Sequence, residues 1–374
     1  MMGSRTGFDK GILVAIFLIA AISLLSVYSS TNQAGIAFKS DFLMKQVSWL
    51  CLGIVFLILV SNFNYRRFFD FGWLLYIVSI LLLILVILIA EPRSGAQRWL
   101  EILGLNFQPS ELARLAVILV LARHLSKRGQ LNNYGNSSLR FDSQIFRDLI
   151  VPVFIVALPM FLIFKQPHLG ASLSLLPVLL AMLFMSGINT KYIISLIVTG
   201  GLFLPFFWHF LKAYQKARIL VFLNPNLDPL GAGYTIIQSK IAIGSGGFFG
   251  KGWLAGTQNQ LNFLPERHTD FIFSVVGEEF GFLGACLLII LYYFIILRVI
   301  KICQATNDAF AQLVIIGIVS LLTFQICVNI AMTLGVMPVV GLTLPLLSYG
   351  GSSLIMTFIL FGIILNINKK RVVF

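Results

Sequence analysis

Apolar residues fall in ten long blocks separated by polar stretches, over 9–28, 42–60, 71–90, 110–125, 148–164, 169–186, 190–209, 271–299, 310–334 and 352–367. The blocks are continuous rather than alternating. Most approach the ~20 residues that a helix needs to cross a hydrocarbon core about 30 Å thick. Barrel strands alternate over shorter stretches and do not fit. Backbone groups in lipid must be satisfied within the segment. The pattern therefore predicts an all-α polytopic integral membrane protein with about ten transmembrane helices. It reads as a single transmembrane domain over 1–374, with one long extracytoplasmic loop, 210–270, between the seventh and eighth helices. That loop carries Trp253 and several Phe and Ile residues, too apolar for a tether. It predicts an ordered cap, with a short helix over Tyr234–Ile243.

Composition agrees: mean hydropathy is +0.94 and only 11 % of residues are charged. Cys51, Cys286, Cys303 and Cys327 sit in or beside apolar blocks without CxxC or zinc spacing and read as small hydrophobes. Charge adds orientation. With the N-terminus in the cytoplasm, fifteen Lys and Arg residues fall in cytoplasmic segments and five in the short outer loops. The positive-inside rule then places both termini in the cytoplasm. The net charge of +13 reflects topology and attraction to anionic membrane lipids, and no nucleic acid is implied.

Acidic residues are scarcer. Of the 14 in the chain, Glu266, Asp270, Glu278 and Glu279 fall within 263–281, FLPERHTDFIFSVVGEEFG. A helix starting near Asp270 puts Gly277, Gly281 and Gly284 on the face of Asp270, where small residues admit a close neighbour. Asp270 then points into protein, either as a reactive carboxylate or as a helix cap. Glu278 and Glu279 are costly at membrane depth and imply pairing, protonation or function. On this phase Glu278 is the nearer to the site.

Three other stretches carry chemistry. QRWLEILGLNFQPSELAR (97–114) brings Arg98, Gln108 and Glu111 to the outer side. Arg98 suits a phosphate, whereas Glu111 and Arg114 are i, i+3 neighbours able to neutralise each other. The segment 231–256 has eight glycines but fails the Walker A pattern at Ser245 and Gly252, and GxGxxG at Phe249. An anion nest and a tight turn both remain open there, with Lys240 the cation to watch. LPLLSYGGSS (344–353), with Ser348, predicts a broken or re-entrant segment.

The blocks GAQRWLEILGLNFQPSELAR, DPLGAGYTIIQSKIAIGSGGFFGKGWLAGTQNQLNFLPERHTDFIF and PVVGLTLPLLSYGGSSL resemble the RodA/FtsW/SpoVE family over nearly the whole chain. Arg267 looks like the RodA branch, and Arg114 stands where the family usually has lysine. The resemblance implies a peptidoglycan glycosyltransferase for cell elongation and shape. It would polymerise lipid II in the bacterial cytoplasmic (inner) membrane, with its active site on the outer face and a class B penicillin-binding protein as partner. Asp270 matches the family's essential aspartate, and Lys45, Arg98, Glu111 and His268 match positions lining its central cavity.

With that substrate, Asp270 is expected as general base. Arg98, Lys45, Lys240 and Arg267 are expected as cations for the departing diphosphate, with a divalent cation (Mg or Mn) allowed for and its ligands unknown. Gln108, Glu111, His268 and Ser348 complete the expected substrate contacts. A lipid II flippase and a non-catalytic scaffold for the penicillin-binding protein are the alternatives.

Overall fold

The computed structural model describes residues 9–32, 40–89, 98–102, 105–132, 149–228 and 231–370. Arg5, Lys39, Arg93, Arg140, Arg147 and Arg371, counted above for orientation, lie outside the described residues. Every apolar block is helical: α1 Lys10–Thr31, α2 Ser40–Asn62, α3 Arg66–Ile89, α4 Pro109–Asn132, α5 Val151–Lys165, α6 Leu169–Met185 and α7 Thr190–Leu202, the last continued by α8 Leu204–Phe210. After the long connection come α12 Ile272–Gln304, α13 Ala309–Thr333 and α14 Gly351–Lys370. Six of the described helices are long and apolar enough to cross a membrane, with α5, α6 and α7 shorter apolar helices beside them. The protein is a multi-pass, all-α membrane protein.

The connection is itself helical, with α9 Ala213–Leu223, α10 Ala232–Ser245 and α11 Thr257–Gln260. The short helix expected over Tyr234–Ile243 lies within α10. It is pinned by Ser239, whose Oγ bonds Ser274 Oγ at 2.7 Å and donates to Thr333 O at 2.6 Å. A two-stranded hairpin, Leu100–Ile102 against Leu105–Phe107, precedes α4. Its three-residue strands gave no alternation long enough to read from sequence.

Antiparallel packing sorts helix ends into two groups. At one end the start of α1 meets α12 through Asp9 and Arg298 at 3.7 Å, and Tyr65 donates to Asp308 at 2.8 Å. Asn366 of α14 donates there to Ser61 O at 2.7 Å. A crevice of about 530 Å³, lined by Arg66, Asp70, Ser126 and Asp308 among others, opens at this end. The start of α4, the end of α13 and the start of α14 gather at the other end, where the chemistry-bearing residues collect.

The glycine-rich segment has a structural role. α12 breaks at Gly281, which has φ +65° and ψ −160°, a region forbidden to most side chains. The interrupted ladder is completed from outside. Phe282 N and Leu283 N donate to Gly247 O and Phe248 O, while Lys251 N and Gly252 N donate to Glu278 O and Glu279 O. A Cβ on Gly281 would lie 2.2 Å from Gly250 N, so the two backbones touch. The neighbours admitted on α12 are α10 at Gly277, through Ile243, and this turn at Gly281. The turn's Lys251 and Gly252 amides are taken up by α12 carbonyls and so form no anion nest.

Candidate active site

Residues 265–270 form turns, and α12 begins only at Ile272. The helical phase counted from Asp270 is therefore corrected: Asp270 precedes the helix. Its side chain caps nothing, since the N-cap position is Phe271 and no side chain caps the helix. The turn is fixed by Thr269 N and Phe271 N donating to Glu266 O at 3.1 and 3.3 Å. Glu266 sits at φ +49° and Leu346, in the facing segment, at φ +65°. Strain of this kind costs about 1–3 kcal/mol per residue and marks sites that the surroundings over-determine.

The segment 342–350, irregular as expected, holds this turn in place. Tyr349 N donates to His268 O at 2.9 Å. Ser348 Oγ donates to Thr269 O at 2.7 Å and accepts from Leu344 N at 2.8 Å. From below, fully buried Asn329 donates to Asp270 O at 2.9 Å and Leu342 O at 2.6 Å. The main chain on either side of the carboxylate is thus fixed at His268, Thr269 and Asp270, and Asp270 as a residue is half-buried.

Gly341, at φ +71°, is the meeting point. Its missing Cβ would lie 3.6 Å from Asp270 Oδ2 and 3.9 Å from Arg98 Nη1. Arg98 is anchored by donating to Pro167 O. Arg218 of α9 donates to Val339 O at 3.1 Å, two residues from Gly341. Burial pushes the Asp270 carboxyl up to about 6, with help from Glu266, against the opposing pull of Arg218 and Arg98. A carboxylate with this pKa is a competent base near neutral pH.

His168 stands behind them, buried between Gln108 Nε2 (3.1 Å from Nδ1) and Gly341 O (3.3 Å from Nε2). Burial, Arg98 and Arg114 hold it well below the usual imidazole range, so it is neutral. His268 packs edge-on to Phe42 and Tyr349. Burial lowers its pKa too, so it offers a neutral imidazole. Lys45 is exposed one turn along α2 from Phe42, on the same helix face. Lys240 is exposed with its Cε and Nζ resting on Gly335, at the same end of the bundle.

Several expectations change. Arg267 is buried and turned inward: Nε donates to Ser30 O at 2.7 Å, and Nη1 to Asn259 O at 2.8 Å and to Asn262 Oδ1. It clamps the outer segment to α1 instead of facing a diphosphate. Gln108 is buried on His168, Glu111 is paired with fully buried Arg114, and Ser348 is bonded within the protein. These three brace the site. Glu278 does not neighbour Asp270; it pairs with Lys251 at 2.8 Å and accepts from Gln258 N and Asn259 N. Glu279 accepts from Ser29 Oγ and from Asn259 Nδ2. Both glutamates are bonded within the protein, away from Asp270.

Arg218, His168 and Asn329 were missed. Arg218 lies in the unbroken polar–apolar mix of the long connection. His168 stands between two apolar blocks and Asn329 inside one, each a single polar residue to which only tertiary contact gives meaning.

Comparison with known proteins agrees with this architecture. The family model FtsW/RodA/SpoVE, described as cell cycle protein, matches residues 10–372. The peptidoglycan glycosyltransferase MrdB of Escherichia coli K12 is 38 % identical over 371 residues, covering 98 % of this chain and 95 % of that protein. The peptidoglycan glycosyltransferase RodA of Treponema pallidum is 32 % identical, covering 97 % and 98 %. Among solved structures, a chain of a peptidoglycan synthase complex that coordinates polymerization and crosslinking superposes with TM-score 0.80 at 33 % identity, covering 98 % of each chain. The rod shape determining protein RodA of Thermus thermophilus gives 0.71 at 29 % identity, covering 99 % of each. The match over almost all of the chain places this protein in the FtsW/RodA/SpoVE family.

Proposed function

We propose that the protein is a peptidoglycan glycosyltransferase that polymerises lipid II, with Asp270 as its general base. The observation that carries the reading is half-buried Asp270, its carboxyl pushed up to about 6 by burial, beside Arg98 and Arg218.

The donor is a sugar joined through its anomeric carbon to a lipid diphosphate; the acceptor is a sugar 4-hydroxyl. Asp270 takes the hydroxyl proton, the oxygen attacks the anomeric carbon, and the carbon–oxygen bond to the diphosphate breaks with its electron pair. One displacement inverts the centre, so one carboxylate suffices and no second one serves as nucleophile. Arg98 and Arg218 stand where negative charge develops on undecaprenyl pyrophosphate. Lys45 and Lys240, exposed at this end, attract the anionic headgroup before chemistry. No group of three or more His, Cys, Asp and Glu able to hold a metal occurs among the described residues. Around Asp270 stand one further carboxylate, Glu266, and the guanidinium groups of Arg98 and Arg218, which do not ligate cations; no step is routed through a divalent cation.

The fold suits substrates anchored in lipid. Charge asymmetry supports cytoplasmic termini and an active site on the outer face of the bacterial inner membrane. Similarity to a complex that couples polymerization to crosslinking supports a class B penicillin-binding protein as partner, and similarity to a rod shape determining protein supports a role in elongation and shape.

Purified protein given labelled lipid II tests the reading. Polymer from wild type, lost in folded Asp270→Asn, is the expected result. Headgroup crossing of liposomes without polymer would establish a flippase, and neither activity would leave a scaffold. The pairing of Glu278 with Lys251, and the hydrogen bonds of Ser29 and Asn259 to Glu279, favour the enzyme over a transport path built on these two acids.

A further inference from the structure

We propose that His168 is a positioning residue: a neutral, Nε2-protonated imidazole that fixes Gly341, and through it the spacing of Arg98 from Asp270. The proposal rests on the glycosyltransferase reading for its catalytic consequence only.

The geometry forms a closed circuit. A carbonyl only accepts, so His168 Nε2, 3.3 Å from Gly341 O, must carry the proton. Nδ1 is then an acceptor, facing the Gln108 amide at 3.1 Å. Gln108 is itself tied down, since its N–H donates to Ser352 Oγ, which donates to Asn106 O at 2.8 Å. The preceding residue, Pro167, offers its carbonyl to Arg98. One two-residue corner therefore holds Arg98 with a carbonyl and Gly341 with an imidazole. Gly341 in turn lies against both Arg98 Nη1 and Asp270 Oδ2.

The charges acting on His168 are Arg98, Arg114 from α4 and Arg218 from α9; all oppose protonation, as burial does. Those acting on Asp270 are Glu266, Arg218 and Arg98. A permanently neutral ring does not serve as the proton carrier. Its value is directional: one donor aimed at one carbonyl.

His168→Gln and His168→Asn separate this role from simple filling of space. Glutamine can reach Gly341 O with an N–H; asparagine is too short and reaches only toward Gln108. The readout is the titration midpoint of Asp270, followed by carboxyl 13C NMR of aspartate-labelled full-length protein in detergent and assigned by its loss in Asp270→Asn. Loosening Arg98 from Asp270 removes a stabilising cation, so His168→Asn raises the midpoint by about one pH unit. It also slows lipid II polymerisation about tenfold or more through misplacement of reacting groups. His168→Gln stays close to wild type in both. An unmoved midpoint in His168→Asn, or equal losses in the two variants, overturns the proposal. A shifted midpoint in His168→Asn when wild type itself makes no polymer overturns the enzymatic reading and leaves the positioning role established.

Discussion

Asn329 holds Asp270 by its main chain and leaves the carboxylate alone: the amide Nδ2 donates to Asp270 O at 2.9 Å and to Leu342 O at 2.6 Å. One buried side chain thus joins the turn bearing the base to the segment leading from Gly341. Replacing it with leucine keeps volume but orphans two carbonyls, each costing about 1–3 kcal/mol. Asn329→Leu should lower the melting temperature and reduce polymerisation beyond what the lost folded fraction explains, with kcat falling more than KM rises. Thermal melts alongside lipid II kinetics check this.

The pKa of Asp270 sets a pH window. Its ordinary value is 3.8 and its folded value about 6, so activity that needs the carboxylate falls as pH drops through about 6. Stability runs the other way. The folded state binds the proton more tightly, so this group's favourable contribution is complete below 3.8 and is lost as pH rises through 6. Asp270→Asn should therefore abolish polymerisation yet melt at or above the wild-type temperature at pH 7. A melt well below wild type would contradict the burial argument.

Lys251 and Glu278 form an ion pair in which the glutamate is fully buried and the lysine is partly exposed. Lys251→Ala leaves a buried carboxylate held only by Gln258 N, Asn259 N and Thr257 Oγ1. Removing one member of such a pair costs up to about 3 kcal/mol. The expected result is a lower melting temperature with an unchanged polymerisation rate per folded molecule. A specific rate loss would return Glu278 to the chemistry.

Two glycines thirty-seven positions apart in sequence should respond oppositely to alanine. Gly281 has φ +65° and its added Cβ would meet Gly250 N at 2.2 Å, so Gly281→Ala should unfold the outer segment or abolish expression. Gly244, inside α10, has nothing within 4 Å of the added Cβ. Gly244→Ala should stabilise by about 0.5–1 kcal/mol through helix propensity. Comparative melts in detergent suffice.

The helical architecture was legible because hydropathy is a local property: ten apolar blocks became ten helical regions, with ends shifted by a few residues. Asp270 was legible because a carboxylate among apolar residues is conspicuous. Of its neighbours, Arg98 was legible as a cation and Arg218 was not; the two are 120 positions apart in sequence and converge on Val339–Gly341 only after folding. Arg267 sits three residues from Asp270 yet turns away, because a turn of 265–270 does not obey helical phase. The glycine-rich stretch resembled a ligand loop because glycine marks close approach without naming what approaches. Here the visitor is a broken helix.

That break joins two parts of the molecule that sequence keeps separate. The turn at 246–252 supplies acceptors and donors that α12 lacks around Gly281, and stripping them away would strand unsatisfied peptide groups in hydrocarbon. The outer segment and the first turns of α12 are thus tied by a shared backbone ladder as well as by the chain itself. Asp270 stands immediately before that helix, so the contacts that hold the turn against α12 also hold the entrance on which the base sits.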